Sequence, residues 1–129
     1  MEEKSLVVCD SDVIIEFFDR DNRTVEDRLV EMGRGNLCIS SVTYSEIIFG
    51  AKDRAHLNAL LKGLESFILL EIDQRIDLIH RELIKKYSLS HKLSIQDALI
   101  AATALDFGFK LFTLNKKDFR FIEGLDLMK

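Results

Sequence analysis

Acidic side chains occur at several places along this 129-residue chain where short apolar segments end. These are Asp10 and Asp12 in VVCDSDVII, Glu46 in SEIIFG, Asp97 in SIQDALIAATA and Asp118 in TLNKKDF. Clustered carboxylates repel one another and are costly to desolvate, and a divalent cation removes that cost. Oxygen-only ligands suit Mg²⁺ or Mn²⁺, which keep waters and bind substrate phosphate. If the fold brings these acids together, they predict a metal site for chemistry at a phosphate.

Each of these residues also has a structural explanation when it is taken alone. Asp and Ser are favoured helix N-caps, and T-x-x-E and S-x-x-D are capping boxes, so Asp10, Glu46 and Asp97 would each suit the start of a helix. Asn115 and Asp118 lie in a segment typical of a turn. The joint pattern favours function, because acids follow three strand-like regions and a further acid opens the most apolar helix.

The elements that would position these acids alternate along the chain. Strands are predicted at 5–9, 37–40, 67–72 and 110–114, and helices at 24–33, 42–52, 54–64, 74–89 and 94–108. The strand-like runs are continuously apolar, as expected for parallel strands covered on both faces. Alternating strands and helices predict βαβ units with right-handed crossovers. In such sheets the site lies beyond the carboxyl ends of the strands, which is where Asp10 and Asp12 fall.

Composition sets the limits of the prediction. The chain is 47% apolar and has a net charge of −4, which predicts one domain over residues 1–129 and argues against a basic nucleic-acid coat protein. The N-terminal segment does not resemble a signal peptide, and no apolar stretch approaches the ~20 residues of a membrane span, so we expect a cytoplasmic protein. Cys9 and Cys38 are expected to be buried, reduced thiols. The three histidines are expected at the surface.

Four segments of the chain together resemble the PIN domain, and more narrowly the VapC-type toxins of toxin–antitoxin pairs. They are DSDVI at 10–14, SEIIFGA at 45–51, DALIAATA at 97–104 and TLNKKDF at 113–119. The resemblance covers the chain from residue 5 to about 127. It implies a single PIN-like domain with a three-layer α/β/α architecture and a central, mostly parallel sheet of four to five strands.

The resemblance also implies an activity and a set of site residues. The activity is hydrolysis of RNA phosphodiester bonds by an endoribonuclease that depends on Mg²⁺ or Mn²⁺, with a cognate antitoxin protein as partner, a homodimer as the usual assembly and no membrane association. The implied catalytic residues are Asp10, Glu46, Asp97 and Asp118, with Asp10, Asp97 and Asp118 as metal ligands. Glu46 would bind a second ion or orient the attacking water. Supporting roles fall to Ser11, Asp12, Thr113 and Asn115, and RNA contacts to Lys52, Arg54, Lys116, Lys117 and Arg120.

Two departures from the family pattern leave alternatives open. Asp12 stands where the family most often has Asn, and Asn115 stands where some members have Asp. The Asp10-x-Asp12 pair after a strand also matches a haloacid-dehalogenase-like phosphatase, in which Asp10 would be the nucleophile, although no clear acidic pair follows a later strand. A catalytically silent PIN-like binding module is the third hypothesis, beside the ribonuclease and the phosphatase.

Overall fold

The computed structural model describes residues 5–129, and a parallel sheet lies at its centre. Its four strands are β1 (Val7–Cys9), β2 (Leu37–Ser40), β3 (Ile68–Leu70) and β4 (Lys110–Phe112). Their order across the sheet is β3-β2-β1-β4, and every neighbouring pair is parallel. This order places the first strand between the second and the fourth, so the residues that follow those three strands emerge side by side.

Six α-helices cover the two faces of this sheet within residues 5–129. They are α1 (Ser11–Phe18), α2 (Arg23–Met32), α3 (Ser41–Phe49), α4 (Arg54–Leu64), α5 (Gln74–His91) and α6 (Ile95–Phe107). Two short 3₁₀ helices span Arg34–Asn36 and Lys116–Asp118. Because side chains alternate along a strand, Val8 and Cys38 pack into one core with α5 and α6, whereas Val7 and Ile39 pack into a second core with α1 to α4. This arrangement confirms the predicted three-layer α/β/α fold.

The predicted elements are confirmed, and the differences concern their ends. Three of the strands are shorter than predicted, at 7–9, 68–70 and 110–112, because pairing stops where their flanking residues leave the sheet. The Thr43–Glu46 capping box is wrong: Ser40 is the N-cap of α3, and its hydroxyl accepts a hydrogen bond from the Thr43 amide at 3.1 Å. The Ser94 cap of α6 is confirmed, since its hydroxyl accepts from the Asp97 amide at 3.0 Å.

The predicted burial of both cysteines is confirmed, but the predicted exposure of the histidines is confirmed only in part. Cys9 and Cys38 are free and buried, as predicted, and burial raises the pKa of both thiols, to about 11 for Cys38, so both stay protonated and unreactive. His91 is exposed, but His56 and His80 are half-buried, so the surface prediction is wrong for those two. His56 Nε2 lies 3.0 Å from Asp19 Oδ1 at the end of α1, and both ring nitrogens of His80 are buried without a hydrogen-bond partner among residues 5–129. Between Ser5 and Lys129, no helix is both long and apolar enough to cross a membrane.

Candidate active site

Asp10 connects the first strand to the first helix. It follows β1 directly, and its backbone amide donates to the Phe112 carbonyl at 2.9 Å, which continues the pairing of β1 with β4. It is also the N-cap of α1, and its Oδ1 accepts from the Ser11 amide at 2.8 Å. A strand on one side and a helix on the other therefore hold the Asp10 carboxylate in one position.

The Asp10 carboxylate is buried in a negatively charged environment. Its Oδ2 accepts a hydrogen bond at 2.8 Å from the hydroxyl of Thr113, the buried residue that follows β4. Burial raises the pKa of Asp10 to about 7, and the charges of Asp12 and Asp97 act in the same direction. The hydrogen bonds from Thr113 and from the Ser11 amide oppose the rise but do not cancel it. Asp10 is therefore a carboxylate whose negative charge is poorly compensated by its surroundings.

Asp12 lies in the first turn of α1 and is tied to the segment after β4. Its Oδ2 accepts from the Leu114 amide at 3.2 Å and from the Asn115 side-chain amide at 2.9 Å. The Asn115 backbone amide in turn donates to the Thr113 hydroxyl at 3.0 Å. The other oxygen of Asp12, Oδ1, is buried and has no hydrogen-bond partner among residues 5–129. Burial is the main cause that raises the pKa of Asp12.

Glu46 lies on α3, the helix that follows β2. The Ser11 hydroxyl donates to Glu46 Oε1 at 2.7 Å and lies 3.1 Å from the Thr43 hydroxyl. These contacts join α1 to α3, and the Ser40 cap fixes Thr43 beneath them. The T-x-x-E pattern predicts Thr43 only as a cap and does not identify Ser40. The available signal was the row of hydroxyl residues in SSVTYS immediately after β2.

Asp97 completes the acidic edge from α6. It is half-buried in the first turn of that helix, and burial raises its pKa to about 6. The charge of Asp118 contributes next in the same direction, followed by those of Glu46 and Asp12, while a hydrogen bond with the Ser94 side chain opposes them. The exposed Asp118 and Glu46 thus act on Asp97 through their charge. Five acids from four separate segments share one electrostatic environment.

The oxygen donors at this edge of the sheet have the chemistry that a divalent cation requires. In the described part of the chain, no group of three or more His, Cys, Asp or Glu side chains is already arranged around a common metal position. The available donors are nevertheless all hard oxygens, and Mg²⁺ usually binds through one or two carboxylates and several waters. A divalent cation would give the buried, unpartnered Oδ1 of Asp12 a partner and would offset the negative charge that raises the pKa values of Asp10 and Asp97. The residues therefore fit a hydrated Mg²⁺ or Mn²⁺.

The predicted RNA-contacting cations flank this acidic edge in sequence. They are Lys52, Arg54, Lys116, Lys117 and Arg120, and all are exposed. None forms an ion pair with a residue in the 5–129 range. Lys52 and Arg54 border Asp53, the N-cap of α4, while the other three surround Asp118. Their role in binding stays a prediction.

A parallel sheet covered by helices, with acids gathered beyond the carboxyl ends of β1, β2 and β4, defines a class of protein. The chain belongs to the PIN domain family, whose model matches residues 7–124. This confirms the resemblance found in the sequence.

Two proteins named as ribonucleases and two solved toxin–antitoxin structures are similar to this chain. The chain is 30% identical over 130 residues to "Ribonuclease VapC1" of Methanocaldococcus jannaschii, covering 98% of this chain and 88% of that protein. It is 50% identical to "Ribonuclease VapC1" of Rickettsia felis, but only over 36 residues, which is 27% of that protein. Among solved structures, a toxin–antitoxin complex from Klebsiella pneumoniae matches with a TM-score of 0.78 and 29% identity, covering 92% of this chain and 94% of that one. VapBC2 from Rickettsia felis, bound to a DNA fragment from their promoter, matches with a TM-score of 0.83 over 95% and 97% of the two chains, and at 21% identity shows the fold alone.

Proposed function

We propose that the protein is a metal-dependent endoribonuclease that hydrolyses RNA phosphodiester bonds and is the toxin of a toxin–antitoxin pair. The observation that carries the proposal is the convergence of five acids at one sheet edge, with the pKa values of Asp10 and Asp97 raised to about 7 and about 6. Groups with perturbed pKa values in one place are typical of catalytic sites. A ribonuclease relative that aligns over 98% of the chain supports the reaction class.

The proposed metal ligands are Asp10, Asp97 and Asp118, with Mg²⁺ or Mn²⁺ as the ion. When bound, such an ion lowers the pKa of a coordinated water and neutralises charge on the phosphate. Asp10 and Asp97 would bind directly, because each is held near the first turn of a helix by hydrogen bonds to neighbouring backbone amides or side chains. Asp118 is exposed in its 3₁₀ helix and would bind directly or through water.

The chain's other polar residues orient these acids. Thr113 holds one oxygen of Asp10, and Asn115 holds one oxygen of Asp12, so the segment after β4 sets the geometry of the segment after β1. Ser11 donates to Glu46 Oε1, which holds the Glu46 carboxyl group in position. A carboxylate held by one oxygen can take a proton from water with the other. Glu46 is therefore proposed to orient the attacking water or to bind a second ion.

The site favours a nuclease over the two alternatives. A haloacid-dehalogenase-like phosphatase would need Asp10 as a nucleophile and an acidic pair after a later strand, but TLNKKDF after β4 offers no clear acidic pair. A silent binding module would have no use for a cluster of acids that raise one another's pKa. Membership of the PIN domain family also argues against the phosphatase.

The proposed partner is a cognate antitoxin protein, and a homodimer is the proposed assembly. Support comes from the solved Klebsiella pneumoniae toxin–antitoxin complex, whose chain is 29% identical to this one. We propose the cytoplasm as the site of action, since free buried thiols fit a reducing compartment.

The experiment uses the purified protein without antitoxin and a panel of labelled single-stranded and hairpin RNAs. We expect cleavage in Mg²⁺ or Mn²⁺, none in EDTA, and none by Asp97→Asn protein under any condition. A phosphomonoester substrate should stay intact, because the phosphatase reading alone predicts its hydrolysis. Cleavage that persists in EDTA or in the Asp97→Asn variant would refute the proposal, and so would a complete lack of cleavage across the RNA and metal panel.

A further inference from the structure

An aromatic stack lies at the end of α5. The ring of His91, the last residue of that helix, stacks on Phe121 with centroids 4.1 Å apart and planes 9° from parallel. Tyr87 packs edge-on against both rings, at 5.6 Å from His91 and 5.1 Å from Phe121. Tyr87 is itself buried, and its hydroxyl accepts from the Glu123 amide at 3.1 Å. The His91 ring is therefore held in one orientation from below.

One face of the His91 ring stays open. The residue is exposed, whereas Phe121 is half-buried beneath it. The Ser90 hydroxyl lies 2.8 Å from His91 Nδ1, which further restricts ring rotation. A flat, pre-oriented ring with a free face loses little conformational entropy when a second flat group stacks on it.

This stack is tied to the acidic edge through both of its members. His91 precedes Asp97 by six residues, and Phe121 follows Asp118 by three. Six residues of chain reach at most about 20 Å, so the ring lies within a few nucleotides' length of Asp97. The contact between His91 and Phe121 also joins the two segments that carry these acids.

Several cations lie close in sequence to the residues of the stack. They are Lys92, Lys116, Lys117 and Arg120, all exposed and all without an ion pair inside the described range. Within α5, by contrast, Arg75, Arg81 and Lys86 each pair with an acid, at 3.0, 3.2 and 3.0 Å. Lys86, which lies over the Tyr87 ring, is thus already neutralised by Glu123. In a chain of net charge −4, a group of free cations beside an aromatic face is a local exception. Phosphates are the groups that such cations attract.

We propose that His91, seated on Phe121, is a stacking platform for one base of the single-stranded RNA substrate, with the adjacent cations neutralising the phosphates beside that base. The inference rests on the proposed ribonuclease function and identifies where the substrate strand leaves the acidic edge. Single-stranded RNA is commonly bound by stacking its unpaired bases on aromatic side chains, and every base has a face suited to this.

The test measures binding separately from cleavage. The parent is Asp10→Asn protein in Mg²⁺, and the probe is a fluorescently labelled single-stranded RNA of about 12 nucleotides, followed by anisotropy. Adding His91→Ala should weaken binding about 5- to 10-fold, the lower part of the range for loss of one stacked base. Adding His91→Phe should restore it, because the flat ring returns. Leu89→Ala, at a 92% exposed position on the same turn, is the matched control and should leave affinity unchanged.

Two further measurements separate stacking from charge and from folding. Inorganic polyphosphate, which has no bases, should compete equally well against the parent and the His91→Ala protein. Thermal unfolding should show that both His91 variants are folded at the assay temperature. In the protein with Asp10 intact, His91→Ala should raise KM for RNA and leave kcat nearly unchanged.

Each outcome decides between the two proposals. If the protein cleaves RNA but His91→Ala alters neither affinity nor KM, the stacking platform is refuted and the ribonuclease stands. If His91→Ala and His91→Phe weaken binding equally, the ring acts by hydrogen bonding and stacking is refuted. If the unmodified protein cleaves no RNA in any metal, the function is refuted and the platform with it.

Discussion

Replacing Asp10 by asparagine separates the charge of this residue from its shape. The asparagine carbonyl can accept the Ser11 amide as Oδ1 does now, at 2.8 Å. Its amide can donate to Thr113 Oγ1, which now donates to Asp10 Oδ2 and would reorient its proton. What is removed is a negative charge that is buried beside Asp12 and Asp97. We therefore expect Asp10→Asn to stabilise the metal-free protein while it abolishes cleavage.

The raised pKa of Asp10 sets the size of the stability gain expected for Asp10→Asn. A folded-state pKa of about 7, against 3.8 for an unperturbed Asp, corresponds to a cost on the order of 4 kcal/mol for the ionised form. That value is an upper bound, because Asp10 and Asp12 titrate together and an asparagine amide also loses hydration on burial. We expect a gain of about 1–3 kcal/mol at pH 8, which would raise Tm by about 3–10 °C for a domain of this size.

The gain should depend on pH in a specific direction. Between about pH 4 and pH 7 the unfolded chain has lost the Asp10 proton and the folded protein still holds it, so the wild type loses stability as pH rises. The asparagine variant lacks this proton in both states. Its advantage should therefore be largest above pH 7 and should disappear towards pH 4.

Thermal unfolding in EDTA from pH 4 to pH 8 measures this, with Asp53→Asn as the matched control. Asp53 caps α4 by accepting from the His56 amide at 2.8 Å, but it is exposed. Asn and Asp are similar N-caps, so that control should be nearly neutral at all pH values. Added Mg²⁺ should stabilise the wild type and not the Asp10 variant. An Asp10→Asn protein that is less stable than wild type at pH 8, or a stability difference that does not change with pH, would refute the argument from buried charge.

Three further substitutions test the remaining roles in the same assays. Asp97→Asn should abolish cleavage, keep the fold and raise the metal-free Tm by less than Asp10→Asn, because Asp97 is only half-buried and its backbone amide still donates to Ser94. Unfolding of this variant would show that the Asp97 carboxylate is needed for the fold. Asp12→Asn should keep most activity at an altered Mg²⁺ or Mn²⁺ optimum, since an amide oxygen can still accept from Leu114 and Asn115. Activity as low as that of Asp10→Asn would instead favour the D-x-D phosphatase hypothesis. Thr113→Val removes a hydrogen bond that lowers the pKa of Asp10, so the acidic limb of the kcat/KM profile should move to higher pH; an unchanged profile would exclude ionised Asp10 as the group that limits the rate.

Most of the fold could be predicted because the sequence patterns are local. The strands are short continuous apolar runs, and helix α4 begins and ends where its apolar spacing does, at Arg54 and Leu64. Asp10 could be placed at the sheet edge because it directly follows the first strand, whatever the strand order. The hydrophobic pattern therefore predicted the layers and the side of the sheet on which the acids lie.

The contacts that organise the site could not be predicted from local patterns. The Thr113–Asp10 hydrogen bond joins residues 103 positions apart, and the Ser11–Glu46 bond joins residues 35 apart. Both depend on β1 lying between β2 and β4, and alternation of strands and helices does not determine that order. For the same reason Ser40, the true cap of α3, was missed in favour of Thr43.

Capping and metal binding, which looked like competing explanations for Asp10 and Asp97, are compatible. Asp10 is the N-cap of α1, and Asp97 lies in the first turn of α6, so each carboxylate is near the positive end of a helix dipole. Such a position lowers the cost of a buried anion by about 0.3–1 kcal/mol, which is less than the pKa values of about 7 and about 6 require. Helix termini therefore hold the acids in place without neutralising them. A divalent cation would neutralise the negative charge that remains, and an RNA phosphate would then bind to that cation.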